Sequence, residues 1–290
     1  GPVRINLKTD DPIIEPRRHH SRMELEAQDL KCRPLADAKF IRPSSSAKYG
    51  MEVVIAAKKD EHGLYTDVRF CLDARPLNAQ TIEDPYSPPT DCQELFDRIG
   101  THKWLTKCDC RAAFNQMFIH PDDQEKTSFF WRGEKWCYTR MVYGLRNATS
   151  AWSAMIEFHL QQAGLTHAIE CFVDDLVIHS ATAEEHAQHL EALFTMLDRI
   201  GLRLHPDKTV VGADVVEFLG HMVCGSGIAP MQARTSALTA LQAPTSLTQC
   251  RSLMGLFNYY RVYIEGFSAI SAPINALLRN CLLYTSPSPR

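Results

Sequence analysis

The sequence lacks the features that identify several large classes of protein. Its ten cysteines include no Cys-x-x-Cys pair and no regular spacing, which argues against a zinc finger and a disulfide framework. No apolar run reaches the length of about 18 residues that a membrane span needs, so we expect no membrane partner. The first residues contain neither an initiator methionine nor a signal peptide. We therefore expect an intracellular, cytoplasmic protein cut from a longer polypeptide, not a secreted one.

Charged side chains are distributed unevenly along the 290 residues, although the formal net charge is only −3. Residues 165–220 contain ten acidic and three basic side chains, whereas residues 221–280 contain four arginines and one glutamate. This distribution suits a protein that holds cations in its middle and a polyanion at its end. The alternative is that both segments are ordinary solvated faces.

Strand and helix signals alternate along the chain and give way to helices at its end. Apolar runs predict strands over 50–60 and 68–78, joined by a turn at DEHG, further strands over 103–110 and 134–144, and a strand or hairpin over 215–223. Helical spacing predicts helices over 91–100, 149–164, 182–201, 231–242, 247–263 and 267–278. Thr182 and Glu185 have the spacing of a capping box at the start of the helix that runs to Gly201. This order is typical of an α+β body with an all-helical appendage.

The segment ECFVDDLVIHS, residues 170–180, places Asp174 and Asp175 side by side within an apolar run. Aspartate is a common turn residue, so the pair predicts a hairpin turn, but two adjacent carboxylates also suit a divalent cation. Asp109 follows another strand-like run, KWLTKC, and would bring a third carboxylate to a strand end. Three such carboxylates predict a site for two Mg²⁺ ions that assist phosphoryl transfer. Mn²⁺ takes the same ligands.

Seven motifs follow one another along the chain: VRFCLDARPLN, LTKCDCRAAFNQMFIHPDDQEKTSFF, YTRMVYGLRNATSAW, CFVDD, LRLHPDKT, EFLGHMV and LMGLFNYYRVYIEGFSAISAPINALL. In this order and spacing they resemble the reverse transcriptase of a gypsy-type LTR retrotransposon, part of a Pol polyprotein. The resemblance implies an RNA-directed DNA polymerase, a nucleotidyltransferase that adds dNTPs to a primer 3′-OH by a two-metal mechanism. It implies as partners an RNA template, a DNA primer, their RNA–DNA hybrid and other Pol domains, with a virus-like particle as a further location.

The resemblance also implies a right-hand polymerase fold of the α+β class, whose palm is an antiparallel sheet backed by helices. Its parts would be a lead-in over 1–46, fingers over 47–103 and 121–148, a palm over 104–120 and 149–224, and a helical thumb over 225–280. The composition of the lead-in predicts an extended segment around one short amphipathic stretch over 21–30. The last residues, 281–290, resemble a cloning scar and predict a non-native tail. The alternative is a native disordered tail.

The catalytic roles are also implied by the resemblance. Asp109 and Asp174 would hold the two metal ions and Asp175 would support them, while the main-chain carbonyl of Cys110 would add a ligand. Lys208 matches a lysine that protonates the pyrophosphate leaving group. The alternative for Lys208 is a surface ion pair with Asp207 or another neighbour.

A nucleotide-binding site is implied by five positions: Lys58, Arg69, Phe114, Tyr143 and Gly144. Lys58 and Arg69 would grip the triphosphate, with Lys59 as the alternative to Lys58. Phe114 would be a steric gate that excludes a ribose 2′-OH, although an aromatic residue in this pattern alone is more typical of a core. Tyr143 and Gly144 would line the pocket for the nucleotide and template.

Primer and template contacts are implied for two further regions. The primer grip would consist of Phe218, Leu219, Gly220 and His221. In the thumb, Arg251, Arg261 and the aromatic residues of NYYR would follow the backbone of a duplex. Helical spacing alternatively places Phe257, Tyr260 and Ile264 in a core, and we expect the two sets on opposite faces.

The sequence departs from the family pattern at several positions. Where the family often has Pro, Pro, Phe, Gln and Gly, this chain has Val142, Thr149, Trp152, Ser153 and Ala113. None of these changes removes a metal ligand. A catalytically inactive relic that only binds nucleic acid is the main alternative function, and the three intact carboxylates argue against it. An RNA-templated RNA polymerase is a third, against which Phe114 argues.

Overall fold

The computed structural model describes residues 1–59, 65–86, 92–100, 102–239, 241 and 243–280. In chain order its strands and helices are β1 Ile13–Ile14, α1 Arg22–Asp37, β2 Ile41–Pro43, β3 Tyr49–Gly50, β4 Val53–Lys59, β5 Tyr65–Leu72, α2 Arg75–Gln80, α3 Cys92–Ile99, β6 Trp104–Asp109, α4 Pro121–Gln124, β7 Phe129–Trp131, β8 Glu134–Tyr138, α5 Ala148–Gln162, β9 Ile169–Phe172, β10 Asp175–Ser180, α6 Ala183–Ile200, β11 Val210–Ala213, β12 Val215–Phe218, β13 His221–Cys224, β14 Gly227–Pro230, α7 Gln232–Thr239, α8 Leu247–Tyr259 and α9 Phe267–Asn280. Helices are mixed with antiparallel sheets, so the predicted α+β class is confirmed.

The central sheet has the strand order β11-β6-β10-β9, and each neighbouring pair in it is antiparallel. Side chains alternate between its two faces. One face, which includes the fully buried Cys108 and Leu176, packs against α5 and α6. On the other face, Leu105 packs against α3 and β12, whereas Lys107 and Asp109 further along the same strand are only partly buried. The second face therefore changes from apolar to polar along β6.

The helices that back the sheet begin and end at residues with a clear physical role. The side chain of Thr182 accepts a hydrogen bond from the backbone of Glu185, and the Glu185 side chain accepts one in return, so the predicted capping box of α6 is confirmed. Gly201 ends α6 with φ +72°, a left-handed conformation that glycine adopts without strain. The buried Leu193 and Leu197 fix which face of α6 meets the sheet.

The remaining strands form smaller sheets around this centre. β4 and β5 form a hairpin, and the DEHG turn predicted between them lies outside the described residues. β2, β8 and β7 form an antiparallel sheet, β12, β13 and β14 form a meander, and β1 pairs with β3 in parallel. Helices α7, α8 and α9 follow the meander. Within the described ranges, no helix has both the length and the apolarity to cross a membrane.

The N-terminal segment differs from the prediction of an extended lead-in. Residues Arg22–Asp37 form a helix of 16 residues that continues through Pro34. Its first turn is closed by a capping box in which Ser21 and Glu24 exchange hydrogen bonds. Gln28 and Cys32, one turn apart, are buried, and the helix contacts β2, β4, β5 and β7. Tertiary packing therefore stabilises a helix that the polar sequence and the internal proline disfavour.

Candidate active site

Three carboxylates meet where two strands of the central sheet end. Asp109 is the last residue of β6, Asp175 is the first of β10, and the two are direct partners in the antiparallel pair. Partners of this kind have their side chains on the same face, with Cβ atoms about 5 Å apart. Asp174 lies in the turn just before β10, and its carbonyl accepts a hydrogen bond of 2.8 Å from the backbone of Cys110. The hairpin is confirmed, and it brings Asp109, Asp174 and Asp175 together.

The turn that carries Asp174 has an unusual conformation. Val173 has φ +51°, in the left-handed region that a β-branched residue rarely adopts. Its carbonyl accepts a hydrogen bond of 2.5 Å from the indole nitrogen of Trp152, which is fully buried in α5. The larger aromatic side chain at position 152 thus holds the strained turn in place. Trp152 was noted in the sequence as a departure from the family pattern. Its contact with the turn could be identified only from the structure.

Two lysines form ion pairs with two of the three carboxylates. Lys107 Nζ lies 3.1 Å from Asp175 Oδ2, and Lys208 Nζ lies 3.2 Å from Asp109 Oδ2. The ion-pair alternative for Lys208 is therefore correct for this arrangement, with Asp109 and not Asp207 as its partner. Lys107 was missed from the sequence. Its position two residues before Asp109 on a predicted strand, and hence on the same face, was the available signal.

The site is electrostatically unfavourable for three negative charges. Burial raises the pKa of Asp174, and the neighbouring charge of Asp109 raises it further. Burial also raises the pKa of Asp175, while the ammonium of Lys107 opposes that rise. Asp174 Oδ1 is buried and has no hydrogen-bond partner among the described residues. This carboxylate oxygen can therefore act as a ligand for a hard cation, which would also supply the missing positive charge.

These donors fit a divalent cation such as Mg²⁺, which prefers oxygen ligands and keeps part of its water shell. Within the described residues, no three His, Cys, Asp or Glu side chains are already arranged as a closed metal site. In this arrangement each of the two ammonium groups is paired with a carboxylate that a metal ion would need. The thiol of Cys110 is buried and its pKa is raised by burial, so it does not suit a thiolate ligand. The predicted role of the Cys110 carbonyl stays a prediction.

The aromatic pair Phe114 and Tyr143 lies beside the carboxylates. The Phe114 ring is only 6% exposed and meets the ring of Tyr143 edge to face, with centroids 4.9 Å apart. The Tyr143 hydroxyl donates a hydrogen bond of 3.4 Å to Asp174 Oδ2. Next to it, Gly144 has φ +92°, and its carbonyl accepts a 2.6 Å bond from Asn78. Phe114 is thus packed as core and also borders the site.

The other predicted nucleotide-binding residues lie on the β4–β5 hairpin. Lys58 belongs to β4 and Arg69 to β5, and their side chains lie outside the described part of the structure. Lys59, the alternative to Lys58, is in the same position. Their roles therefore remain predictions.

The predicted primer grip forms the β12–β13 hairpin. Phe218 and His221 are its flanking partners, and both side chains are buried. Leu219 and Gly220 form the turn between them, with φ +50° and +73°. The side chains of Phe218 and His221 are therefore not available to a primer, and the primer-grip role of this hairpin stays a prediction.

The C-terminal helices carry the two predicted duplex-binding arginines. Arg251 on α8 and Arg261 just after it are exposed. Tyr260 is buried, and Phe257 and Ile264 are half-buried, as the core alternative predicts. The arginines and this apolar set thus differ in exposure as expected.

Residues 57–223 match the family described as "Reverse transcriptase (RNA-dependent DNA polymerase)". The chain is 30% identical over 240 residues to the retrovirus-related Pol polyprotein from transposon gypsy of Drosophila melanogaster, a match that covers 83% of this chain and 23% of that relative. It is 28% identical over 278 residues to the polyprotein from transposon opus of the same organism, covering 95% of this chain and 27% of that relative. The chain thus spans about a quarter of the length of the curated relatives it matches.

Solved structures with the same fold include two of the foamy viral protease-reverse transcriptase. The complex with an RNA/DNA hybrid has a TM-score of 0.78 at 22% identity, covering 96% of this chain and 36% of that one. The complex with dsDNA has a TM-score of 0.80 at 23% identity, covering 97% of this chain and 57% of that one. The predicted right-hand polymerase fold is confirmed by these likenesses.

Proposed function

Because the chain belongs to the reverse transcriptase family, we propose that it is the polymerase part of a gypsy-type retrotransposon Pol polyprotein and an RNA-directed DNA polymerase. The resemblance to gypsy-type elements is confirmed by the relatives named above. The observation that carries the activity is the convergence of Asp109, Asp174 and Asp175 at the ends of two paired strands. Like charges so placed destabilise the fold, and a bound divalent cation would offset that cost.

We propose that Asp109 and Asp174 hold two Mg²⁺ ions and that Asp175 supports them, with Mn²⁺ as a possible substitute. When bound, these ions would activate the primer 3′-OH and neutralise the charge that develops on the triphosphate. The chain's own residues orient this arrangement. The β6–β10 pairing aligns Asp109 with Asp175, and the Trp152 bond to the turn fixes the main chain before Asp174.

Lys208 has two states in this proposal. In the present arrangement its ammonium neutralises Asp109 across 3.2 Å. A cation bound at Asp109 would release the ammonium, whose side chain is 60% exposed and free to turn toward a leaving group. Lys208 then donates a proton to the departing pyrophosphate. The ion pair and the proton donation considered for Lys208 from the sequence are therefore compatible.

The substrates are proposed from the same geometry. Phe114, which packs against Tyr143 beside Asp174, would contact the sugar and select dNTPs. The two solved relatives contain an RNA/DNA hybrid and dsDNA, and we infer that an RNA template and a DNA primer bind this chain in the same manner. Exposed Arg251 and Arg261 suit contacts with duplex phosphates. The intracellular location, the virus-like particle and the other Pol domains stay predictions.

A primer-extension assay tests the proposal against the inactive relic. We expect the chain to extend oligo(dT) on poly(rA) with dTTP and Mg²⁺. Asp174→Asn should abolish extension but still bind the hybrid. Asp198→Asn, which changes an exposed carboxylate at the end of α6, is the matched control and should extend normally. Binding of the hybrid without extension by the unmodified chain would establish the relic instead.

A further inference from the structure

The β12–β13 hairpin meets the C-terminal helices through a cluster of aromatic rings: Phe96, His221, Tyr259, Tyr260 and Tyr263. His221 lies at its centre and is 3% exposed. Its ring stacks on Tyr259, with centroids 5.0 Å apart and planes at 27°, and meets the ring of Phe96 edge to face, also at 5.0 Å. The cluster therefore joins α3, the hairpin and the end of α8.

A hydrogen bond fixes the imidazole within this aromatic cluster. His221 Nδ1 lies 2.5 Å from the hydroxyl of Tyr263, in the short helix Arg261–Tyr263 that follows α8. Burial raises the pKa of Tyr263 to about 12, so its hydroxyl remains protonated and can donate to the imidazole. The C-terminal helices thus contribute to the orientation of His221.

The turn next to His221 is held from the same side. Leu219 has φ +50°, which costs free energy in a residue other than glycine, and Gly220 follows with φ +73°. The hydroxyl of Tyr259 donates a hydrogen bond to the carbonyl of Leu219. Such a conformation persists only where its surroundings determine it, and this bond from α8 reaches the turn's own main chain.

The hairpin also touches the catalytic strand. β12 contacts β6, and Phe218 packs in one apolar cluster with Leu105 of β6. β6 ends at Asp109. A shift of the hairpin relative to the sheet would therefore move whatever the turn holds with respect to the carboxylates.

We propose that Tyr259 is a positioning residue, whose hydroxyl fixes the Leu219–Gly220 turn so that the turn's main chain aligns the primer 3′ end with the carboxylates. The proposal rests on the proposed function. In this proposal the aromatic cluster couples two features. The hydrogen bond from Tyr259 to Leu219 links the position of α8 against the hairpin to the alignment of the primer end. Since the side chains of Phe218 and His221 are buried, we expect the hairpin to align a primer through the shape of the turn between them.

The test replaces one hydroxyl and keeps the ring. Tyr259→Phe removes the bond to Leu219 but leaves the stacking on His221. Tyr86→Phe is the matched control, because that hydroxyl also makes a hydrogen bond, to Glu157 on α5, far along the chain from the hairpin. Both variants lose one hydroxyl and should lose similar thermal stability. Single-turnover incorporation and the fluorescence of 2-aminopurine, placed in the template opposite the primer end, are measured for both.

For Tyr259→Phe we expect the maximal incorporation rate to fall by about tenfold at an unchanged half-saturating dTTP concentration, since a small misplacement of reacting groups costs rate and not nucleotide binding. The 2-aminopurine signal should rise in the complex without nucleotide, because the primer end is less ordered. Tyr86→Phe should match the unmodified chain in both measurements. Equal rates for Tyr259→Phe and the unmodified chain, or an equal loss in both variants, would overturn the proposal. If the unmodified chain does not extend at all, the proposed function fails, while an unchanged fluorescence signal would separately refute the positioning role.

Discussion

Lys107 Nζ lies 3.1 Å from Asp175 Oδ2, and the two side chains are only 20% and 25% exposed. The lysine belongs to β6 and the aspartate to β10, so the pair joins the two strands whose ends bring Asp109 and Asp175 together. Its ammonium provides positive charge beside the site when no metal ion is bound there. If a divalent cation binds at this site as proposed, Lys107 would compete with it for the Asp175 carboxylate.

Lys107→Met should destabilise the metal-free protein by about 2 kcal/mol at neutral pH, below the range for fully buried pairs because both groups keep some contact with water. The pKa of Asp175, already raised by burial, rises further without the lysine. A raised carboxylate pKa makes ionisation unfavourable in the folded state, so the loss grows as pH rises above the ordinary value of 3.8. Urea unfolding in EDTA at pH 5 and pH 8 measures this loss of stability, and Lys107→Arg is the control that keeps the charge. Equal losses at both pH values would contradict the expectation.

Asp174→Asn should raise the melting temperature in EDTA while it abolishes extension. The pKa of Asp174 is raised, so at neutral pH its ionised form destabilises the fold, and this cost disappears as pH falls through the raised pKa. The asparagine removes the charge at every pH. We therefore expect the melting temperature of the variant to exceed that of the unmodified protein at pH 7.5 and to approach it at pH 4. Calorimetry checks this, with Asp198→Asn as the control, and a lower melting temperature at pH 7.5 would argue against burial as the cause.

Phe114→Val should reduce discrimination between dNTPs and rNTPs by at least about tenfold, because a smaller side chain leaves room for a 2′-OH. Phe114→Tyr keeps the ring and should keep most of the discrimination. The measurement is the ratio of the specificity constants for dTTP and UTP on the same primer and template. Loss of extension with an unchanged ratio would show that Phe114 acts only as core.

His179→Leu should reduce the stability that the protein loses in acid. His179 is 3% exposed, and neither of its ring nitrogens has a hydrogen-bond partner among the described residues. Burial, with the neighbouring His102 and His189, lowers its pKa to about 4. The unfolded chain takes up the proton near pH 6.5, so stability is lost as pH falls from there to about 4, by up to about 3 kcal/mol.

Chemical unfolding of His179→Leu at pH 7 and pH 4.5 measures this loss. His19→Leu, which changes an exposed histidine, is the control and should keep the acid sensitivity of the unmodified protein. If His179→Leu loses as much stability between the two pH values as the control does, the buried histidine is not responsible.

Features encoded in short stretches of sequence were predictable. The Thr182 and Glu185 capping box, the glycine that ends α6 and the hairpin at Asp174 each depend on neighbours within four residues. The meeting of Asp109 with Asp174 and Asp175 was inferred from strand ends and from the family resemblance together. Local chemistry and motif order therefore predicted that the three carboxylates meet, and their metal-binding role stays a prediction.

Features that depend on packing between distant segments were not predictable. A lysine at position 107 becomes a partner of Asp175 only when the register of β6 against β10 is known. The burial of His221 depends on the C-terminal helices that cover it, about 40 residues later in the chain. Helix α1 has the capping signal of Ser21 and Glu24, but the internal Pro34 disfavours a long helix, and packing against the neighbouring strands stabilises it.

The left-handed Val173 also matters for anyone who engineers this polymerase for heat resistance. Glycine adopts φ +51° without strain, so a search for stabilising substitutions would select Val173→Gly early. Yet the turn would then be free to take other conformations in which the carbonyl no longer faces Trp152, and the adjacent carboxylates would lose their fixed direction. Thermostable variants should therefore be sought at exposed helix positions, and libraries should leave residue 173 unchanged.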